Sequence, residues 1–236
     1  MLATNLARVR ERVLLACERC RRDPRAITLI GVTKTVDPAR VREAVGLGVA
    51  DVGENRVQEA AAKIDALGPL SGVRWHLIGH LQTNKAKAAV GLFEVIHSVD
   101  SAKLLEALER EAAAQRRRPR VLIQVNVSGE ASKSGCRPEE AEALAASAAR
   151  AAHLELEGFM TIPPLAQDPE AARPSFRTLR ELRDRIQAVL DAGVTGEPAH
   201  RPTRLQLSMG MSHDFEIAIE EGADYIRVGT ALFGAR

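Results

Sequence analysis

The sequence predicts an α/β fold, a single (β/α)8 barrel preceded by one extra helix. Strand-like runs and helix-period stretches alternate almost without interruption, which argues for a parallel sheet with helices outside it. The strand-like runs number eight, the count that closes such a barrel, and 236 residues is a common length for one built as a single domain. A doubly wound open sheet would want a glycine-rich turn after its first strand. Gly31-Val32-Thr33-Lys34-Thr35 is no G-x-G-x-x-G, and no G-x-x-x-x-G-K-[ST] occurs anywhere.

The elements follow in order. An opening helix is expected over 5–21, where Leu6, Val9, Val13, Leu14 and Cys17 fall on one face. The first strand, 27–33, is a β-branched apolar run that delivers Lys34 at its C-terminal end. Helix 38–47 and strand 50–53 come next. Asn55 and Gln58 then form a plausible capping box for helix 55–67. Strand 74–79, helix 83–90, strand 93–97 and helix 101–115 lead to a basic run, Arg116-Arg117-Arg118-Pro119-Arg120. There a helix stops and a strand, 120–127, begins; cations at a helix C-terminus complement its dipole. Helix 138–152, strand 154–161, helix 170–191, strand 204–208, helix 213–221 and strand 224–229 complete the series. Pro163-Pro164 and the stretch 193–202 are loop material too short to separate domains, so residues 1–236 read as one domain.

Composition excludes several classes. A net charge of +2 makes no case for nucleic acid, and no run of eighteen apolar residues offers a membrane span. Arg8, Arg10, Glu11 and Arg12 interrupt any signal-peptide core, so the protein is expected in the cytoplasm. Cys17-Glu18-Arg19-Cys20 has redox spacing but no following strand. Zinc would need a second ligand pair, whereas Cys136 stands alone, so no metal site is expected.

In a barrel, function collects at the C-terminal ends of the strands, and the unusual polar residues fall there. Lysine is scarce, six against twenty-seven arginines, yet Lys34 ends a buried strand, where desolvation would favour the neutral, nucleophilic amine of a Schiff-base lysine. Asn55 follows the second strand, His76 lies in the third, and Ser208-Met209-Gly210-Met211-Ser212 follows the seventh. Ser212 is a natural N-cap whose helix would offer free N–H groups to a phosphate, and Gly229-Thr230 gives a second close backbone approach. Arg227 sits inside a buried strand and must have a partner, either a bound ligand's acceptor atom or a carboxylate such as Glu54. An imine-forming lysine, a phosphate pocket and a buried arginine together suggest pyridoxal 5′-phosphate (PLP). Arg227 would donate to the ring nitrogen and keep it unprotonated, a weaker electron sink than a carboxylate-paired pyridinium.

With those residues in place, the chain resembles the PLP homeostasis protein family (the YggS/PROSC proteins), which is similar in fold to the N-terminal barrel of alanine racemase. The matching segments run in order from residue 31 to 234. They include Gly31-Val32-Thr33-Lys34-Thr35, Gly53-Glu54-Asn55-Arg56-Val57-Gln58-Glu59, Trp75-His76-Leu77-Ile78-Gly79-His80 and His97-Ser98-Val99-Asp100. The later ones are Leu205-Gln206-Leu207-Ser208-Met209-Gly210-Met211-Ser212 and Arg227-Val228-Gly229-Thr230-Ala231-Leu232-Phe233-Gly234. The resemblance implies Lys34 as the PLP-bearing lysine, Arg227 at the ring nitrogen, and Ser212, Gly229 and Thr230 around the phosphate, with Ser208 also among the cofactor-binding residues. Asn55, His76 and Met209 or Met211 would line the cofactor, and Lys133 would be a second lysine engaged in PLP handling. Thr33, where the family usually has Ser, keeps the hydroxyl.

Two functions from different classes follow. One is a carrier that binds PLP reversibly and hands it to apo-enzymes through transient contact; the other is a PLP-dependent amino-acid racemase. The racemase scheme resembles a two-base reaction whose tyrosine comes from a further domain of the partner subunit. The one tyrosine here, Tyr225, lies two residues before Arg227 and about 7 Å along the strand, a layer below the cofactor. His76 is the remaining candidate for a second base. The carrier is the favoured reading, and a monomer is expected.

Overall fold

A computed structural model describes residues 1–130, 134–164, 166–193 and 204–234. Eight parallel strands close in sequence order: β1 (Thr28–Val32), β2 (Asp51–Glu54), β3 (Arg74–Leu77), β4 (Val95–Val99), β5 (Arg120–Gln124), β6 (Glu155–Met160), β7 (Gln206–Met211) and β8 (Tyr225–Val228). Pairing of Thr28 with Tyr225 and of Gly31 with Val228 joins β8 to β1, which leaves no unpaired edge. The helices are α1 (Leu2–Cys20), α2 (Pro38–Gly46), α3 (Val57–Leu67), α4 (Ala86–Leu92), α5 (Ala102–Gln115), α6 (Pro138–Arg150), α7 (Arg173–Asp191), α8 (Phe215–Glu220) and α9 (Thr230–Phe233). The last of these was not anticipated; four residues cannot display a helical period.

Two apolar layers hold the barrel. The larger lies between strands and helices and includes Phe93, Phe159, Phe176 and Phe215, each without exposed surface. The smaller fills the barrel itself with Ile30, Val95, Leu122, Met160 and Tyr225. Strands buried on both faces are rich in apolar residues, as in β1 and β5, while β2, β3 and β8 also carry the buried polar Asp51, Glu54, His76 and Arg227. The extra helix α1 packs its Leu2, Leu6, Val9, Val13, Ala16 and Cys17 stripe against α8 and α9. Leu14, expected on that stripe, is 44% exposed, because Ala16 and Cys17 meet the neighbouring helices instead. Arg12 pairs with Glu216 at 2.5 Å and lies 4.4 Å above the Phe215 ring.

Other expectations need correction at the caps. The N-cap of α3 is Arg56, with no side-chain bond, so the Asn55–Gln58 capping box does not form. Arg116 ends α5 in a left-handed conformation, φ 52°, as suits a basic C-cap. All three cysteines are free thiols. Among the described residues no helix is long and apolar enough to cross a membrane, and no cluster of His, Cys, Asp and Glu could hold a metal.

One irregularity positions the site. The register of β7 on β8 shifts between Ser208 and Met211: Ser208 pairs with Tyr225 but Met211 with Arg227. Three residues therefore oppose two, a β-bulge centred on Gly210, whose φ is +90°. A bulge resets the inside/outside alternation of everything after it.

Candidate functional site

A cavity of about 290 Å³ opens at the C-terminal ends of the strands. Lys34, Asn55, Ser212, Arg227, Gly229 and Thr230 line it together with Met211, His213 and the apolar Val32, Ile78 and Ile162. Six of the nine side chains singled out from the sequence are thus brought together. The other three, His76, Met209 and Ser208, are fully buried and line no part of it. The bulge explains the methionines. Met209 precedes Gly210 and points into the outer core, while Met211, one residue past the reset, turns to the cavity.

Lys34 is exposed, so the desolvation expected of it is absent. Its backbone neighbours are held instead by α3. Lys63 Nζ donates to the Thr33 carbonyl at 2.5 Å, and Thr33 Oγ1 donates to Glu54 Oε1 at 2.6 Å. Thr35, in a left-handed conformation at φ 58°, donates its N–H to Glu59 Oε1. Lys63 also bonds Glu54 at 2.5 Å, so a buried ion pair sits directly behind the lysine turn. Burial pushes the Glu54 carboxyl up, against the pull of Lys63 and Thr33. The Glu59–Lys63 spacing of four on a helix is the signal of this clamp in the sequence.

Asn55 is fixed by close backbone approach. A Cβ on Gly79 would stand 2.3 Å from the Asn55 carbonyl oxygen, so only glycine lets the chain after β3 lie against it. Ser212 caps a helix, though not the expected one. α8 starts later, at Phe215 behind Asp214. Ser212 Oγ instead accepts the Gly229 and Ala231 N–H groups, at 3.1 and 3.2 Å, and so caps α9. Asp214 Oδ1 accepts the Met211 N–H at 2.6 Å and fixes the start of the same loop. His213 Nε2 donates to the Gln167 carbonyl at 2.9 Å.

Arg227 is 4% exposed. Its partner is not Glu54: NH1 donates to Ser208 Oγ at 2.7 Å and NH2 to the Thr161 carbonyl at 2.8 Å. Among the described residues no carboxylate pairs with it, and its Nε has no protein acceptor. Burial pulls its pKa down to about 10, against the opposing pull of the Asp214 carboxylate. Below it, Ser208 Oγ lies 2.9 Å from His97 Nδ1, His97 Nε2 is 2.9 Å from His76 Nδ1, and His76 Nε2 is 2.8 Å from Asp51 Oδ1. Burial pulls both imidazoles down, His97 well below its ordinary value. Burial works against the Asp51 carboxylate, but bonds from His76 and Arg74 prevail and hold it low. Tyr225 donates to Glu157 Oε1 at 2.5 Å in the layer below and does not reach the cavity. Lys133 lies outside the described residues.

Residues 4–236 match the family model described as "Alanine racemase, N-terminal domain". The pyridoxal phosphate homeostasis protein of Aquifex aeolicus is 44% identical over 231 residues, 98% of this chain and 96% of that protein. The structure of PipY from Synechococcus elongatus with PLP bound superposes with a TM-score of 0.83 at 36% identity, covering 99% of this chain and all of that one. Alanine racemase from Streptomyces coelicolor shares the fold, with a TM-score of 0.69 at 22% identity over 98% of this chain and 59% of its own.

Proposed function

This chain belongs to the alanine racemase N-terminal domain family and, within it, to the pyridoxal phosphate homeostasis proteins, and from that premise we propose that it captures PLP reversibly on Lys34. One observation carries the residue assignment: an exposed lysine and a buried arginine without a carboxylate partner face the same cavity. PLP supplies an aldehyde for a reversible bond to an amine, a pyridine nitrogen and a phosphate. The residues present fit all three. Lys34 meets the aldehyde. Arg227 Nε, for which the described residues provide no acceptor, donates to the ring nitrogen. Thr230, with Ser212 and Gly229 around the α9 N-terminus, holds the phosphate. Asn55 and Met211 flank the ring.

A guanidinium at the ring nitrogen keeps that nitrogen an acceptor and the ring a poor sink for electrons, which suits storage over transformation. The side chains offered as a second base weigh the same way, since Tyr225 and His76 both lie beneath the cavity. The protein then works as a monomeric, single-domain cytoplasmic store that passes cofactor to apo-enzymes by transient contact, with little or no catalysis of its own.

The test is the visible spectrum of the purified protein with added PLP, then borohydride reduction and peptide mapping. A phosphopyridoxyl group on Lys34, lost in Lys34→Ala, is the expected result. No visible band, or a label elsewhere, would sink the assignment.

A further inference from the structure

The buried chain beneath Arg227 has a direction that its two ends dictate. Asp51, a carboxylate also held by Arg74 at 2.8 Å, can only accept, so His76 carries its proton on Nε2. A neutral His76 then accepts at Nδ1, which places the His97 proton on Nε2 and leaves His97 Nδ1 an acceptor. Ser208 must therefore give its hydroxyl proton to His97, and its lone pairs remain for Arg227 NH1, which can only donate. Every bond points from the cavity toward Asp51. A protonated His76 would reverse the middle of this order. The groups facing the pair are Asp51 from β2, Arg74 from β3, Arg120 from β5, and Tyr225 and Arg227 from β8. Three of these five are arginines, which oppose a further positive charge.

Resting on the reading of the cavity as a PLP site, we propose that Asp51, His76, His97 and Ser208 are positioning residues forming a one-way hydrogen-bond relay. It presents a fixed acceptor to Arg227 NH1 and so holds the guanidinium with Nε aimed at the cofactor's ring nitrogen. Thr161 fixes the other terminal nitrogen through its carbonyl, so the backbone constrains one arm and the relay the other. None of the four relay residues touches the cofactor. They act through Arg227, where a hydroxyl takes the place a carboxylate would otherwise fill. The guanidinium is thereby positioned without a directly bonded carboxylate among the described residues.

Nitrogen-15 NMR of the cofactor-free chain reads the tautomers directly. The relay requires the Nε2–H form of both His76 and His97 at neutral pH; an Nδ1–H form or an imidazolium at either overturns it. PLP titration then compares wild type with Ser208→Ala, His97→Leu and His97→Gln, each verified as folded by its unfolding transition. Losing one bond to a charged donor corresponds to roughly ten-fold weaker binding for Ser208→Ala and His97→Leu. His97→Gln keeps one acceptor and one donor and should recover most of the affinity, a rescue that a merely space-filling role would not give. If wild type is trapped on Lys34 while Ser208→Ala binds equally tightly, the relay falls and the PLP reading stands. If wild type takes no PLP, both fall.

Discussion

Lowering the pH from about 7.5 to 5.5 should remove a defined share of stability through His97. The imidazole has no exposed surface, bonds Ser208 and His76, and is driven neutral by burial, by His76 and by Arg227. In the unfolded chain it titrates near its ordinary value of about 6.5. Below that value the unfolded state binds a proton that the folded state refuses, so stability falls with pH. With the folded value well below 6.5, the loss has RT ln(1 + 10^(6.5 − pH)) as its ceiling, negligible at pH 7.5 and on the order of 1 kcal/mol at pH 5.5. His76 adds to this in the same direction, reduced by its bond to Asp51. Asp51, held below its ordinary value, loses its contribution only as the pH falls under about 3.9, outside the interval. Urea unfolding of wild type and His97→Gln at both pH values isolates the effect. The wild-type loss should exceed the variant's by on the order of 1 kcal/mol at unchanged m. Equal losses would show that His97 is not buried neutral and would refute the reasoning.

Two further substitutions probe the frame. Gly210→Ala would place a Cβ 2.5 Å from Ala218 Cβ at φ +90°, and should cost about 2–4 kcal/mol with weaker PLP capture. A urea midpoint like that of wild type would mean the bulge is dispensable. Lys63→Met strands the Glu54 carboxylate, fully buried with its Oε2 already unpartnered, and should cost about 3–5 kcal/mol. The double variant with Glu54→Gln should recover most of that; a loss under about 1 kcal/mol in the single variant would deny the buried pair its role.

Strands such as β1 and β5 were legible because burial on both faces favours apolar, β-branched runs, and the alternation with helical stretches located the more polar strands between them. The rim was legible for a similar reason: Lys34, Asn55, Arg227 and Gly229-Thr230 are polar or glycine residues at the ends of such runs. What failed depends on single-residue geometry. The bulge at Gly210 carries no periodic signal, so Met209 and Met211 could not be told apart. Ser212 was read as capping the helix after it in sequence, whereas the donors it satisfies come from α9, seventeen and nineteen residues on. The resemblance implies His76 among the residues lining the cofactor, yet it lies two residues before the cavity-lining Ile78, a whole layer of depth. His97 and Lys63 were missed as site partners because their contacts lie across the barrel and on a neighbouring helix.

The clamp around Lys34 bears on how a store gives back what it holds. Because Thr33 and Thr35 are both tied to α3, the proposed capture on Lys34 would find its turn already ordered and freeze the four-carbon stem of that side chain. That entropy is about 2 kcal/mol, against about 1–2 kcal/mol for each backbone residue that a disordered lysine turn would have to fix. Release regains the same modest amount and asks no strand or helix to move. On that assignment, residence time would be governed by the chemistry of the bond and by the nucleophiles that compete for the aldehyde.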